Sequence, residues 1–370
     1  MSAAEPWVEG EAILYRLHDV GYAIDLDRAC DVLAANVPER QRPVRGEAQA
    51  IMIPNPPVTV ALGADAPATA GAAAGEPELS ARLFDFGVVS LRARLATPRR
   101  MRWSEFRAFA AAASFERTAA RFQTSLRGLA DRLKPAIERP DLASVTEDYI
   151  VFRITRLESE NGERLKPDVL DDERIAGLLV GESRPVTPTA RRELLSQRFS
   201  YFEDDLAVLT WYAALVVEPV RDDTDVQYVL EFANAQLLEL RYYDSVLDVE
   251  LPRIHQESTA ARRGFHFLGR RYNRLLGALQ GRVADATEAV ERAENAFKVT
   301  DDVFLARIYG AALEIFRERV WRAGIDRKVD ILGKTYEMLN AEAQARRTEI
   351  LELVVILLIA LEIVLALRSH

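Results

Sequence analysis

The side chains able to do chemistry are few and scattered. Histidine stands at His18, His255, His266 and His370, and no two lie four residues apart, the step that sets paired ligands on one helix face. Cys30 is the single cysteine, which excludes an intrachain disulfide and any zinc site built from several thiolates; it reads as a small core residue. No Gly-x-x-x-x-Gly-Lys or Gly-x-Gly-x-x-Gly phosphate loop occurs, and the stretch from Gly71 to Gly75 is alanine-rich and lacks the lysine. Carboxylates cluster at Glu203-Asp204-Asp205, at Asp222-Asp223 with Asp225, and at Asp301-Asp302. Such groups can ligate a divalent cation, but each precedes a regular element, where carboxylates cap helices and mark turns. The densest basic patch is Arg262, Arg263, Arg270, Arg271 and Arg274, whose readings are a solvated helix face or a contact for RNA or anionic lipid. The expectation is a protein without catalytic, cofactor-binding or metal residues, and not an enzyme.

The bulk numbers agree with a folded chain. Of 370 residues, 49% are hydrophobic and 28% charged, which excludes wholesale disorder and a polytopic membrane protein. The formal charge of −9 makes general electrostatic binding of nucleic acid unfavourable. Lys134, Lys166, Lys298, Lys328 and Lys334 are the only lysines, so arginine supplies nearly all the positive charge. The first residues have no basic stretch leading an apolar one, so no secretory signal is expected.

Elements that would position these groups follow from periodicity. Residues 11–18 (EAILYRLH) read as a strand, and Asp25 stands at the N-cap of a short helix carrying Leu26, Ala29, Cys30 and Leu33 on one side. Strands are expected at 50–53 and 58–62 around Pro54-Asn55-Pro56-Pro57, and a flexible excursion at 63–77. Residues 79–84 and 87–92 alternate about Asp85-Phe86-Gly87 as a hairpin. Helices are expected from Ser104 to Ala113, from Phe115 to Leu133, and over 168–180 and 189–199, with a strand at 148–157. Residues 206–217 fit a strand or a helix, and the aromatic, β-branched content favours the strand. Strands interleaved with helices give an N-terminal α/β sandwich domain over 1–220.

From Val226 the apolar stripe advances in threes and fours through Val229, Ala233, Leu237, Leu240, Leu247, Leu251 and Ile254, interrupted by Asp244. A second stripe runs from Tyr272 to Phe297, and a third helix begins near Val303 and regains the rhythm from Val329 to Ala343. Long antiparallel, coiled-coil-like helices are expected over 221–349, with a turn and N-cap at Thr300-Asp301-Asp302 and a kink or stop at Pro252. The last stretch, 350–370, is apolar from Leu353 to Leu367 except for Glu362. It reads as a C-terminal transmembrane helix, a tail anchor whose Glu352 and Glu362 are kept off lipid by neighbouring copies. Arg346 and Arg347 before the span put the bulk of the chain on the cytoplasmic side.

The segment RRTEILELVVILLIALEIVLAL, with Glu352 and Glu362 ten residues apart, resembles the C-terminus of the family named "required for meiotic nuclear division", which has mitochondrial and bacterial members. Residues 82–90 (RLFDFGVVS) resemble that family's strand–Gly–strand element, and 13–33 its opening strand and helix. The sequence departs from the family pattern at Leu353, where an aromatic is expected, and over 200–300. The resemblance implies a membrane-anchored oligomer in a bacterial inner membrane, or a mitochondrial one in a eukaryote, and brings no enzymatic role. The combined expectation is a non-enzymatic, homo-oligomeric scaffold at a membrane. The alternatives are a membrane-tethered translation or RNA-associated factor, and an ion pore with Glu362 facing its interior.

Overall fold

A computed structural model describes residues 5–34, 44–45, 51–52, 55–62, 77–181, 184–219, 225–263, 299–300 and 302–368, with the isolated positions 277, 281, 284, 287, 288 and 291. In chain order the strands are β1 (Trp7–Asp19), β2 (Gly21–Ile24), β3 (Val44–Arg45), β4 (Ile51–Met52), β5 (Val58–Leu62), β6 (Glu78–Leu83) and β7 (Val88–Ala96), then β8 (Met101–Arg102), β9 (Ile137–Pro140), β10 (Thr146–Glu158), β11 (Arg198–Phe199), β12 (Leu206–Leu209), β13 (Ala213–Val217) and β14 (Val299–Thr300). The described helices are α1 (Leu26–Ala34), α2 (Trp103–Ala112), α3 (Phe115–Leu133), α4 (Asp172–Val180), α5 (Pro188–Leu194) and α6 (Asp225–Arg263), and two further ones named α7 (Val303–Ile315) and α8 (Glu318–Arg368).

Ten strands form one sheet in the order β11-β12-β13-β10-β1-β7-β6-β5-β3, with β8 beside the start of β1. Every pairing is antiparallel except β10 with β13. The sheet is therefore mixed and mostly meandering, where interleaving alone suggested an α/β sandwich. Hairpin turns such as Phe84–Val88 and Leu209–Ala213 are too short for parallel crossovers, and only the excursion through α4 and α5 returns the chain parallel. Residues 206–217 are two strands, because Thr210 turns the chain: its hydroxyl donates to the Ala213 carbonyl at 2.7 Å and its N–H to the same oxygen at 2.9 Å.

Strand alternation gives the sheet two unlike faces. One presents Val8, Ala12, Leu14, Val60, Ala81, Leu91, Phe152, Ile154 and Leu215, and α1–α4 cover it with Leu33, Phe106, Phe122, Leu126 and Ile175. Apolar spacing in α3 meets this need directly: Phe122, Leu126, Leu129 and Leu133 recur in threes and fours. Asp25 does cap α1, accepting from Arg28 N–H at 3.0 Å, whereas α2 starts at Trp103, one residue before Ser104. The opposite face carries Ile13, Tyr15, Leu17, Tyr149 and Val151 beside Glu11, Arg82, Ser90 and Arg153, all buried.

The chain divides into two compact units, Met1–Tyr242 with Arg292–Arg319, and Tyr243–Glu291 with Val320–His370. In the first, β14 pairs with β4, Asp302 caps α7 by accepting from the N–H groups of Phe304 and Leu305, and Arg317 at φ 53 breaks α7 from α8. In the second, α6 continues through Pro252 without stopping. Leu247 and Ile254 on α6, and Ile325, Leu332 and Leu339 on α8, are buried at seven-residue steps, the spacing of a coiled-coil seam. Lys328 Nζ bonds Asp244 Oδ1 at 2.7 Å and Asp248 Oδ1 at 2.6 Å beside it. The excursion expected at 63–77, but for residue 77, and most of the second stripe, Tyr272 to Phe297, lie outside the described residues.

The tail-anchor expectation is overturned: among the described residues no helix is long and apolar enough to cross a membrane. The uncharged run between Glu352 and Glu362 reaches only about 14 Å at ~1.5 Å per residue, against a hydrocarbon core of about 30 Å.

Candidate functional site

Three features of the described residues combine polarity or apolarity in ways a simple core does not require. The first is a polar layer buried on the second sheet face. Arg82 on β6 and Arg92 on β7 project from the alternate positions of a hairpin whose other side is apolar. Above them Glu231 comes from α6, a helix buried at every residue from Val226 to Leu240. Arg82 Nη1 pairs with Glu231 Oε2, and Arg92 Nη1 stands 4.0 Å from the same oxygen. Arg82 Nε donates to Thr59 Oγ1 at 3.3 Å, Arg92 Nε to Ser80 Oγ at 3.1 Å, and the Arg82 guanidinium lies 4.8 Å over the Tyr228 ring. Glu11 on β1 continues the layer, accepting from Arg153 Nη1 at 3.1 Å and pairing with Arg94 Nε at 3.0 Å. An aromatic group closes one side: Phe232 of α6 meets Phe84 and Phe86 edge-on at 5.8 and 5.9 Å.

At the far end of β1 the charges change sign. Asp19 is 2% exposed and Glu239 on α6 is 3% exposed, and their carboxyls are hydrogen-bonded to each other. Burial pushes the Asp19 carboxyl up to about 7; the Gly21 N–H at 3.1 Å and the bond to Glu239 oppose the shift, and Asp141 adds to it. One strand position earlier His18 faces the other side, where burial first and Arg16 second lower it to about 4. Arg16 itself forks onto Asp148 through Nε at 2.7 Å and Nη2 at 2.6 Å. Glu147 is held up by burial, against its pairing with Arg241 of α6.

The second feature is a cleft of about 370 Å³ lined by Glu9, Thr155, Arg156, Glu158, Arg164 and Pro219. Its charges answer one another: Arg156 Nε lies 3.8 Å from Glu9 and 3.7 Å from Glu158, and Arg100 Nη1 pairs with Glu158 at 2.6 Å. The Thr155 hydroxyl in the cleft donates to the Glu9 backbone carbonyl at 3.2 Å. Among the described residues no group of His, Cys, Asp and Glu is arranged to hold a metal ion.

The third feature is the end of α8. Beyond Leu339 no described side chain of this helix is buried, and every described one from Leu351 to Leu365 is exposed. Twelve of these are large and apolar, from Val354 at 45% to Leu351 and Ile356 at 65% exposure. Glu352 lies exposed among them. Glu362 is in the helix, but its side chain falls outside the described ones, as do those of Arg262 and Arg263 at the end of α6. Arg270, Arg271 and Arg274 lie outside the described residues altogether.

Sequence reading missed the polar layer. Arg82, Ser90, Arg92 and Arg94 alternate with apolar neighbours, the usual mark of a strand with one face in water. The available signal was Gln227, Glu231, Asn234, Gln236 and Glu239 within one apolar helix, partners for a charged sheet face.

Residues 9–224, which include both strands of the polar hairpin and all the cleft residues, match the family model described as "Uncharacterized protein MJ0711, N-terminal domain". The chain is also similar to the "Uncharacterized protein MJ0711" of Methanocaldococcus jannaschii, 24% identical over 180 residues, which is 48% of this chain and 53% of that protein. It thus spans about half the length of the relative it matches. No solved structure matches the chain.

Proposed function

The chain belongs to the family of the uncharacterized protein MJ0711 N-terminal domain, and from the helix beyond that domain we propose that it is a non-enzymatic scaffold that self-associates through the apolar end of α8. The carrying observation is the exposure of every described side chain from Leu351 to Leu365. Soluble surfaces rarely leave so long an apolar stretch in water, because each buried methylene is worth about 0.8 kcal/mol. Self-association is favoured because the same segment on another copy is its natural complement. The apolar area is on the order of 1,000 Å² per chain, above the ~800 Å² per partner of a stable interface. A two-stranded coiled coil would cover only one seam, whereas here Leu353, Ile356, Ala360 and Val364 lie on different sides from Leu351, Val354, Leu358 and Leu361. Three or more copies are therefore needed to shelter one helix. The polar stretch of residues 341–349 acts as a spacer between the seam at Leu339 and this apolar end.

Sedimentation of the full chain, compared with a chain ending at Glu349, tests the reading. The full chain is expected to sediment as a trimer or larger, and the shortened one as a folded single chain. Replacing Leu357 and Leu361 together by Glu should dissociate the full-length particle. A full chain that sediments as a monomer, or a shortened chain of undiminished mass, overturns it.

A further inference from the structure

A bulge in β10 makes the cleft beside β1. Glu9 stands opposite Arg156 and Gly10 opposite Ile154, so Thr155 is an extra residue on β10 with no counterpart on β1. In a regular strand Thr155 and Arg156 would point to opposite faces; at the bulge both line the one cleft, together with Glu9 and Glu158. Gly10 permits this close approach, because a Cβ there would stand 2.2 Å from the Arg153 carbonyl oxygen. The bond from the Thr155 hydroxyl to the Glu9 carbonyl closes the bulge. Arg164 is carried to the cleft by the hairpin that follows β10, in which the Ser159 N–H bonds the Glu163 carbonyl and the Leu165 N–H the Leu157 carbonyl, both at 2.8 Å.

One charged group of the lining is held by a close ion pair. Arg100 Nη1 bonds Glu158 Oε2 at 2.6 Å, and the same guanidinium lies 4.8 Å over the Trp7 ring. The other pairs stop short of hydrogen-bond distance: Arg156 Nε is 3.8 Å from Glu9 and 3.7 Å from Glu158, and Arg164 Nη2 is 3.7 Å from Asp204. Among the described residues the side chains of Glu9, Arg156 and Arg164 make no hydrogen bond. They are 37%, 51% and 58% exposed, so a small molecule in the cleft can reach all three. Ion pairs this long and this wet add little to stability, and exchanging them for the charges of a ligand costs the fold little.

We propose that this cleft binds a free α-amino acid with an acidic side chain. Its volume of about 370 Å³ falls at the small end of the roughly 300–1,000 Å³ of small-molecule sites. Pro219 is the one apolar residue of the lining, which suits a polar ligand. Arg156 and Glu9 present opposite charges 3.8 Å apart, close enough to meet a carboxylate and an ammonium borne on a single carbon. The ligand's α-carboxylate takes two parallel N–H bonds from the Arg156 guanidinium, and its ammonium donates to Glu9. The side-chain carboxylate goes to Arg164. A phosphate dianion would meet Glu9 and Glu158 together beside Arg156, so a ligand carrying both signs fits better. Every lining residue lies in the first unit, which makes the site independent of self-association through α8.

Calorimetric titration of the full chain with L-glutamate and L-aspartate tests the assignment. Saturable binding at a single site is expected below about 10 mM. Glutarate, which lacks the ammonium, and L-leucine, which lacks the second carboxylate, should each bind about tenfold more weakly or worse. Arg156→Gln should weaken glutamate by about tenfold or more, and Glu9→Gln should lower glutamate to the affinity of glutarate. Thermal midpoints show whether each variant is folded. Should Arg156→Gln fail to fold, Arg164→Gln at the more exposed guanidinium carries the test, and there glutamate should fall to the affinity of leucine. No saturable binding of either acidic amino acid overturns the proposal. So do glutarate or inorganic phosphate binding as tightly as glutamate, and folded variants that bind glutamate as tightly as the unaltered chain.

Discussion

Arg82 and Glu231 set the energetic tone of the protein at the scale of single residues. Their side chains are 9% and 0% exposed, so each has surrendered its hydration to the other and to neighbours fixed by the hairpin. Replacing Arg82 by Met strands the carboxylate and should cost about 3–5 kcal/mol, toward the lower end because Arg92 stands 4.0 Å away. Adding Glu231→Leu removes the stranded charge and should recover most of the loss. Urea midpoints of the two variants and the parent measure this, and a double variant no better than the single one would contradict it. His18 and Asp19 give a second prediction from opposite signs. His18, lowered to about 4, binds its proton more readily when unfolded, so stability from this group rises as pH climbs from 4 to 6.5. Asp19, raised to about 7, binds its proton more readily when folded, so its contribution falls from pH 4 to 7. The two oppose each other up to about 6.5, and Asp19 alone acts above it. Denaturant midpoints should therefore drop between pH 6.5 and 8, and in His18→Gln the drop should begin near pH 4.

Hairpins govern behaviour at the scale of elements. The β6–β7 turn holds both the apolar core positions and the arginines in register, and it depends on Gly87 at φ 93. A Cβ there would stand 1.9 Å from the Gly21 carbonyl oxygen, so Gly87→Ala combines a left-handed backbone with a backbone clash. The expected cost is about 2–4 kcal/mol, read as a lowered thermal midpoint with unchanged helical content in the surviving fold. Most elements were legible from alternation and caps: β5 and α3 follow the residues one by one, and the β6–β7 hairpin stands where expected, with β7 running on to Ala96. The split of 206–217 into β12 and β13 was not, since an unbroken apolar run hides a turn made by one threonine. The start of α2 at Trp103 was missed because a serine at 104 looks like a better cap than Arg102.

For the whole molecule, the apolar end of α8 is the property that matters most. Association through leucine and isoleucine should be insensitive to ionic strength, because Debye screening acts on exposed charges and not on buried methylenes. Sedimentation in low and high salt should return the same particle mass; dissociation in high salt would point to charged contacts instead. The length of that apolar run misled the reading of residues 350–370 as a span. Hydropathy reports how much a helix avoids water and leaves open what covers it, and the run between Glu352 and Glu362 is short.

The amino-acid sequence by itself determined strands such as β5, the caps of α1 and α7, the apolar stripes of α6 and α8 and the greasy end of α8, because each is set by neighbours within a few residues. Only the tertiary structure decided which polar faces are buried. Arg82, Ser90 and Arg92 read as a wet strand face until α6 brings Glu231 over them. That meeting joins positions about 150 residues apart, and local patterning carries no trace of so distant a partner.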